Sequence, residues 1–219
     1  MAQTTIKAPS PINSQPDTDP AVSDERLLER FRDGDQGAFT QLIGRYEREL
    51  FHFLVRFLGN RAAAEDVYQE ALLQVSQSAG SFDVTRRFRP WLFTIAANKG
   101  RDMLRSQARR PAAPLSAKVD GGADGTEFVD LMVADVPVPD EPLQRQELEQ
   151  AVRAAVMELP EHLREIILLS YFHQFPYKQI SEILNIPLGT VKSRLHAAVA
   201  HFADKWKRHG VSFDGPAAA

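Results

Sequence analysis

The stretch PYKQISEILNIPLGTVKSRLHAAVAHFADKW, residues 176–206, decides the fold class of the C-terminal half. Ile180, Ile183 and Leu184 put one apolar face on a short helix, and Asn185-Ile186-Pro187 breaks it. Val191, Leu195, Val199 and Phe202 then recur at helical spacing from about Leu188 onward. Two helices joined by so tight a break read as a helix-turn-helix. Thr190, Lys192, Ser193, Arg194 and His196 lie between the apolar positions, near the N-terminal end of the second helix. In that position a recognition helix meets base edges and phosphates of duplex DNA. The competing reading is an ordinary helical hairpin with a polar exposed face.

Upstream, apolar periodicity continues in helical steps and nowhere alternates as a strand would. Ser23 or Asp24 caps a helix carrying Leu27, Leu28 and Phe31, and Gly34 ends it. One long helix is expected from about Asp35, through Phe39, Leu42, Ile43, Tyr46, Leu50, Phe53, Leu54 and Phe57, to the stop at Gly59-Asn60. A third covers roughly 61–77, with Val67, Ala71, Leu72 and Val75 inward, and a loop spans 78–85. A fourth runs from about Phe88 to Arg109, with Trp91, Leu92, Ile95 and Leu104 inward. Residues 111–139 lack periodicity, are rich in proline, glycine and acids, and read as a flexible linker. Asp140 caps the next helix and Pro160 opens another, which leads into the helix-turn-helix. The expected fold is therefore all-α: two small helical domains, 23–110 and 140–209, joined by the acidic linker 111–139. Residues 1–22 form a disordered tail and 210–219 a frayed one.

The chain of 219 residues has a formal net charge of −3, and that total conceals an asymmetry. Residues 84–110 hold eight Lys or Arg against one acid, whereas 111–149 hold two against nine. A local basic stripe is the electrostatic footprint that matters for nucleic acid. Asn98, Arg101 and Arg105 fall near one face of the fourth helix, with Arg109 a turn further. Phe82 and Phe88 flank Arg86 and Arg87 in the loop before it. Arginines interleaved with aromatics suit single-stranded DNA, whose bases stack on rings while phosphates meet cations. The alternative places Phe82, Phe88 and Trp91 in the core. In EDVYQEALLQ, residues 65–74, Asp66, Gln69 and Glu70 share the outward face opposite Val67, Ala71 and Leu72, and form a polar, acidic patch.

These segments resemble a known family. GDQGAFTQLIGRYERELFHFLVRFLGNRAAAEDVYQEALLQV with FRPWLFTIAANKGRDMLRSQARR is similar to the promoter-melting module of sigma-70-family RNA polymerase sigma factors. LPEHLREIILLSYFHQFPYKQISEILNIPLGTVKSRLHAAVA is similar to their C-terminal helix-turn-helix module. Two modules without the additional ones of primary sigma factors resemble the extracytoplasmic-function (ECF) class. The resemblance implies a non-catalytic specificity subunit with core RNA polymerase and promoter DNA as partners, an anti-sigma factor as a further possible one, and no cofactor. It implies that Asp66, Gln69 and Glu70 dock on the clamp of the largest polymerase subunit and that residues 163–172 meet the β-subunit flap. Residues 81–88 would capture a flipped base of the −10 element, so Phe82, Arg86, Arg87 and Phe88 join Asn98, Arg101 and Arg105 as −10 residues. Thr190, Lys192, Ser193, Arg194 and His196 would read the −35 element; whether Lys192 and Arg194 serve a guanine or a phosphate stays open.

Two positions depart from the family pattern. Ala197, Ala198, Val199 and Ala200 follow His196 where basic residues usually continue, which implies weaker and less salt-sensitive −35 binding. Pro176 stands where a capping serine is common, and proline is compatible with a first helical turn. The other functional classes fare worse. A helix-turn-helix regulator acting without polymerase leaves the basic helix idle. An enzyme lacks any Gly-rich phosphate loop, HExxH or recognisable nucleophile setting. Cysteine is absent, which excludes disulfides and thiolate metal sites, and His196 and His201 lack companions for a metal. With no signal-peptide or membrane-spanning pattern in the sequence, a cytoplasmic location is expected.

Overall fold

The computed structural model describes residues 22–109 and 151–208, without the side chains of 206–208. The expected N-terminal tail up to residue 21, the linker, the Asp140 cap and the tail after Gly210 lie outside the described residues. Every described element is helical.

Helix α1 (Asp24–Arg32) starts where the Ser23 side chain accepts from the Arg26 amide, with acids in its first turn and arginines in its last. Asp35 caps α2 (Gln36–Gly44) by accepting from the Ala38 amide. The single long helix expected from Asp35 to Gly59 is in fact two, since a tight turn separates α2 from α3 (Glu47–Leu58). At that turn the Arg45 and Tyr46 amides donate back to the carbonyls of Leu42 and Ile43. Both side chains reach Asp24 on α1, Arg45 at 2.8 Å and Tyr46 through its hydroxyl. Residues on both sides of the break still face the core, so apolar spacing alone carries no sign of it.

α3 is the central helix, buried continuously from His52 to Leu58. Gly59 ends it in the left-handed conformation at φ 68°, and Met157 lies so close over it that a Cβ would sit 2.1 Å from the Met157 Cε. Asn60 caps α4 (Arg61–Ser78), and a short 3₁₀ turn (Ala79–Ser81) leads to the loop before α5 (Phe88–Arg109). At Gly100, α5 approaches α3 closely enough that a Cβ would meet the Phe57 ring at 2.8 Å.

In the C-terminal half, α6 runs through residues 151–157 and buries Ala151, Val152, Ala155 and Val156. Pro160 precedes α7 (Glu161–Ile167), which continues into a π-helical turn (Leu168–Phe172). This wider turn, closed by the His173 amide on the Leu168 carbonyl, swings Phe172, His173 and Phe175 toward α3 and α5. α8 (Tyr177–Leu184) and α9 (Leu188–Arg208) form the helix-turn-helix, with Asn185 in the left-handed region at φ 51°. The apolar stripe of α9 corrects one expectation. Ala198 is fully buried beside Val191 and Leu195, while Val199 is 41% exposed, because the 191–195–198–202 row stays on the inward face. The buried residues of both halves form one contiguous core, with α8 against α5 and the π-helical turn against α3.

Candidate nucleic-acid interface

On α9, Lys192, Ser193 and His196 are exposed, and Thr190 and Arg194 are half-buried. The Ser193 hydroxyl donates to the Thr190 carbonyl at 3.2 Å. Val191, Leu195 and Ala198 anchor the opposite face, so the five candidate side chains occupy the outer side and flank of the helix N-terminus.

The other basic constellation is divided by burial. Arg87, Asn98 and Arg105 are exposed, and Arg105 pairs with Asp102 at 3.3 Å. Arg101 is only 16% exposed; it donates to Asn98 and forms an ion pair with Glu165 at 3.2 Å. Arg86 is 3.9 Å from Glu182 of α8. Phe82 and Phe88 correct the expectation that they present their rings to bases. Phe88 is fully buried and Phe82 6% exposed, in a cluster with Trp91 and Tyr46. Burial of two large rings outweighs their display on a loop. The exposed loop atoms belong instead to Ser81, Asp83, Thr85, Arg86 and Arg87, with Asp83 accepting from the Thr85 amide and hydroxyl.

On α4, Asp66, Gln69 and Glu70 lie together in the exposed surface, and Leu73, one turn on, is 59% exposed. Lys99 of α5 approaches Glu70 at 3.5 Å. A pocket of about 410 Å³ beside this helix is lined by Gly44, Glu47, Arg48, Phe51, His52, Glu65 and Tyr68.

A second polar group lies between the two halves. Glu49 of α3 accepts from Arg89 and contacts the Nδ1 of His173 at 3.3 Å. Arg89 also donates to the His173 carbonyl at 2.7 Å and stacks over Phe175 at 3.9 Å. Burial pushes the Glu49 carboxyl up, but hydrogen bonds from His173 and Arg89 and the arginine charge outweigh it and hold Glu49 at about 2. For Glu165 burial wins: despite Arg101, its carboxyl is pushed up to about 7. Burial lowers His173 against the pull of Glu49, which favours the neutral imidazole. Glu49, Glu165 and His173 carry no sequence signal, because their partners are 40 to 124 residues away in the chain.

These shifts fix the signs of a pH dependence. Glu49 contributes stability above its unfolded value of 4.5 that is lost as pH falls toward 2. Glu165 acts oppositely: its contribution is full below 4.5 and is lost as pH rises through 7. The melting temperature of Glu165→Gln should therefore rise relative to the parent chain as pH climbs through that window. His173, whose lowered value tilts the curves the other way, is common to both chains, so their difference isolates Glu165. A pH-independent difference between the two calorimetric melting curves would remove Glu165 from this account.

Fold and charge together define a two-part helical protein that carries a helix-turn-helix and a basic helix. The chain matches the Sigma-70 region 2 family over residues 42–110 and the Sigma-70, region 4 family over residues 149–202. It is 34% identical over 172 residues to the ECF RNA polymerase sigma factor SigW of Bacillus subtilis (strain 168), covering 78% of this chain and 90% of that protein. Against the ECF RNA polymerase sigma-E factor of Escherichia coli (strain K12) it is 33% identical over 178 residues, 81% of this chain and 91% of that one. The fold resembles that of CnrH in complex with the cytosolic domain of CnrY, with a TM-score of 0.61 and 22% identity over 84% of this chain and 97% of that chain. It also resembles RpoE in complex with the anti-sigma factor NepR from Bartonella quintana, with a TM-score of 0.57 and 22% identity over 77% and 96%. This chain belongs to the sigma-70 family of RNA polymerase sigma factors, in the ECF class. Among the described residues no helix is long and apolar enough to cross a membrane.

Proposed function

We infer that this chain binds core RNA polymerase, directs it to promoters and assists strand separation at initiation, itself catalysing no reaction. The observation that carries this reading is the pairing of region 2 and region 4 in one chain, in that order, over residues 42–110 and 149–202. In this reading residues 23–110 engage and melt the −10 element, residues 140–209 hold the −35 element, and residues 111–139 span the distance between them. The exposed trio Asp66, Gln69 and Glu70 meets the clamp of the polymerase, and residues 163–172 meet the flap. Arg86, Arg87, Asn98, Arg101 and Arg105 serve the −10 strand, with Phe82 and Phe88 supporting the loop from beneath. Thr190, Lys192, Ser193, Arg194 and His196 face the −35 duplex. The protein works in the cytoplasm with the polymerase, and an anti-sigma factor belongs to the same reading.

Run-off transcription with core polymerase, with and without the chain, tests it directly: a promoter-dependent transcript should appear only in its presence. A core enzyme that gains no such transcript overturns the reading in favour of a regulator acting without polymerase. Within the reading, Lys192→Ala should weaken −35 duplex binding by roughly tenfold, a single lost base or phosphate contact. Its affinity for core polymerase should be unchanged, because Lys192 is exposed on α9, away from the α4 patch. Fluorescence anisotropy with duplex and with core enzyme measures both quantities; unchanged duplex binding would remove Lys192 from the −35 contacts, and equal loss of the two would indicate misfolding instead.

A further inference from the structure

Helix α1 holds both ends of the loop before α5 from one of its faces. Glu25, Leu28 and Arg32 follow one another at three- and four-residue steps and so share a side of the helix. Leu28 is fully buried and fixes that side against the core. Arg32, in the last turn, reaches the start of the loop: its Nε donates to the Ala79 carbonyl at 2.6 Å, and its Nη2 donates to the Phe82 carbonyl. The Ala79 carbonyl also accepts from the Phe82 amide at 3.2 Å, so one guanidinium fastens the whole 3₁₀ turn. Glu25, in the first turn, reaches the other end, where its carboxylate accepts from the Phe88 amide at 3.1 Å. That amide opens α5, whose first N–H groups have no partner within the helix. Glu25 therefore caps α5 from 63 residues away in the chain. The two anchors stand two turns apart on α1, about 10 Å along its axis. The helix is itself tied to the α2–α3 turn, since Asp24 accepts from Arg45 and from the Tyr46 hydroxyl. Between the anchors the loop bends on local bonds from Thr85 and Arg86 to Asp83.

We propose that Glu25 and Arg32 are positioning residues for base capture: by fixing the two ends of the loop they give its exposed atoms one shape, into which a single unpaired base of the promoter strand fits. This inference rests on the −10 assignment made above and deepens it, by naming residues outside 81–88 on which base choice depends. Both precede the stretch 42–110 that matches the Sigma-70 region 2 family. The physical basis is preorganisation. A base taken out of the stack is read by hydrogen bonds to its edge, and these discriminate only where donors and acceptors are held in place. Phosphate contacts carry no sequence information and tolerate a looser loop. Releasing either anchor therefore costs base preference more than it costs strand affinity.

The test uses holoenzyme reconstituted from the full chain and core polymerase, offered a single-stranded oligodeoxynucleotide library of randomised sequence. Sequencing the retained strands gives the base preference at each position, and the parent should enrich one base at the captured position. Arg32→Met and Glu25→Ala should each flatten that preference by roughly tenfold, with little change in the total strand retained. Glu25→Gln keeps an acceptor oxygen for the Phe88 amide and should keep the parent's preference. Arg26→Met is the control for the stability of α1: it removes the Arg26–Glu29 pair at 3.0 Å, leaves the loop contacts alone, and should behave as the parent. Arg32→Met and Glu25→Ala chains that retain the parent's preference overturn the proposal. So does an equal loss at every position, or a flattened preference in Arg26→Met, since either reports a loosened helix rather than a displaced loop. A parent that enriches no base overturns it as well. Run-off transcription reads the underlying function separately. A normal parent transcript alongside any of these failures overturns the positioning role alone, and an absent one overturns the functional reading on which that role rests.

Discussion

Asp66→Arg should abolish promoter-dependent transcription with core polymerase while leaving binding to −35 duplex intact. Asp66 lies on the exposed face of α4 with Gln69 and Glu70, and Val67 and Ala71 anchor the opposite face in the core. A substitution there changes surface charge without disturbing packing, so helix content and melting temperature should stay within the small range of surface variants, about 0.5 kcal/mol. Reversing the charge replaces an attraction to a basic partner surface by a repulsion. Losses for a close interfacial charge pair run to about 2–5 kcal/mol, which sets the expected fall in holoenzyme affinity at roughly a hundredfold. Titration of labelled chain with core enzyme, beside duplex binding by the same variant, separates the outcomes. Full transcription by a correctly folded Asp66→Arg chain would show that the acidic trio is ordinary solvated surface.

Phe53→Ala should cost about 3–5 kcal/mol of stability, among the largest effects expected of a single truncation in the fold. Phe53 is fully buried at the middle of α3, with Phe57 at 5.7 Å, Phe93 at 5.4 Å and His173 at 5.6 Å between ring centroids. Its neighbours come from α3, α5 and the segment after the π-helical turn, so none of them can collapse into the space left by the ring without moving a helix. For a chain of this size the melting temperature should fall by roughly 6–20 °C. Leu73→Ala is the internal contrast: that side chain is 59% exposed and should shift the melting temperature little. Thermal unfolding followed by circular dichroism compares the two, and a mild effect at Phe53 would mean that the halves part before the core melts.

The helices, their caps and the helix-turn-helix were legible in the chain because their causes are local. Ser23 accepts the amide hydrogen bond expected of a helix cap, and Asp35 and Asn60, expected only to open one helix and to stop another, cap α2 and α4 in the same way. The Gly59 stop and the 176–206 pattern followed from backbone freedom and apolar spacing in the same way. What periodicity does not report is a break that keeps its phase, which is why the turn at Arg45-Tyr46 appeared only with Asp24 brought beside it. Loop aromatics were ambiguous for a related reason. A phenylalanine beside arginines reads as a stacking ring until the space beneath the loop is known, and here Phe82 packs against Phe88 and Trp91 and is only 6% exposed.

By itself, the sequence determined that this is an all-helical chain with a basic helix, an acidic helix face and a helix-turn-helix in a fixed order, and from the residues that carry them, the family resemblance. Only the tertiary structure decided which of the basic side chains are engaged. Arg86, Arg89 and Arg101 look equivalent to Arg87 and Arg105 in one dimension, yet the first three meet Glu182, the His173 carbonyl and Glu165 from the other half of the molecule. The reason is physical: composition and spacing set the charge of a helix face, whereas the availability of that charge depends on what the chain packs against it from far away in sequence.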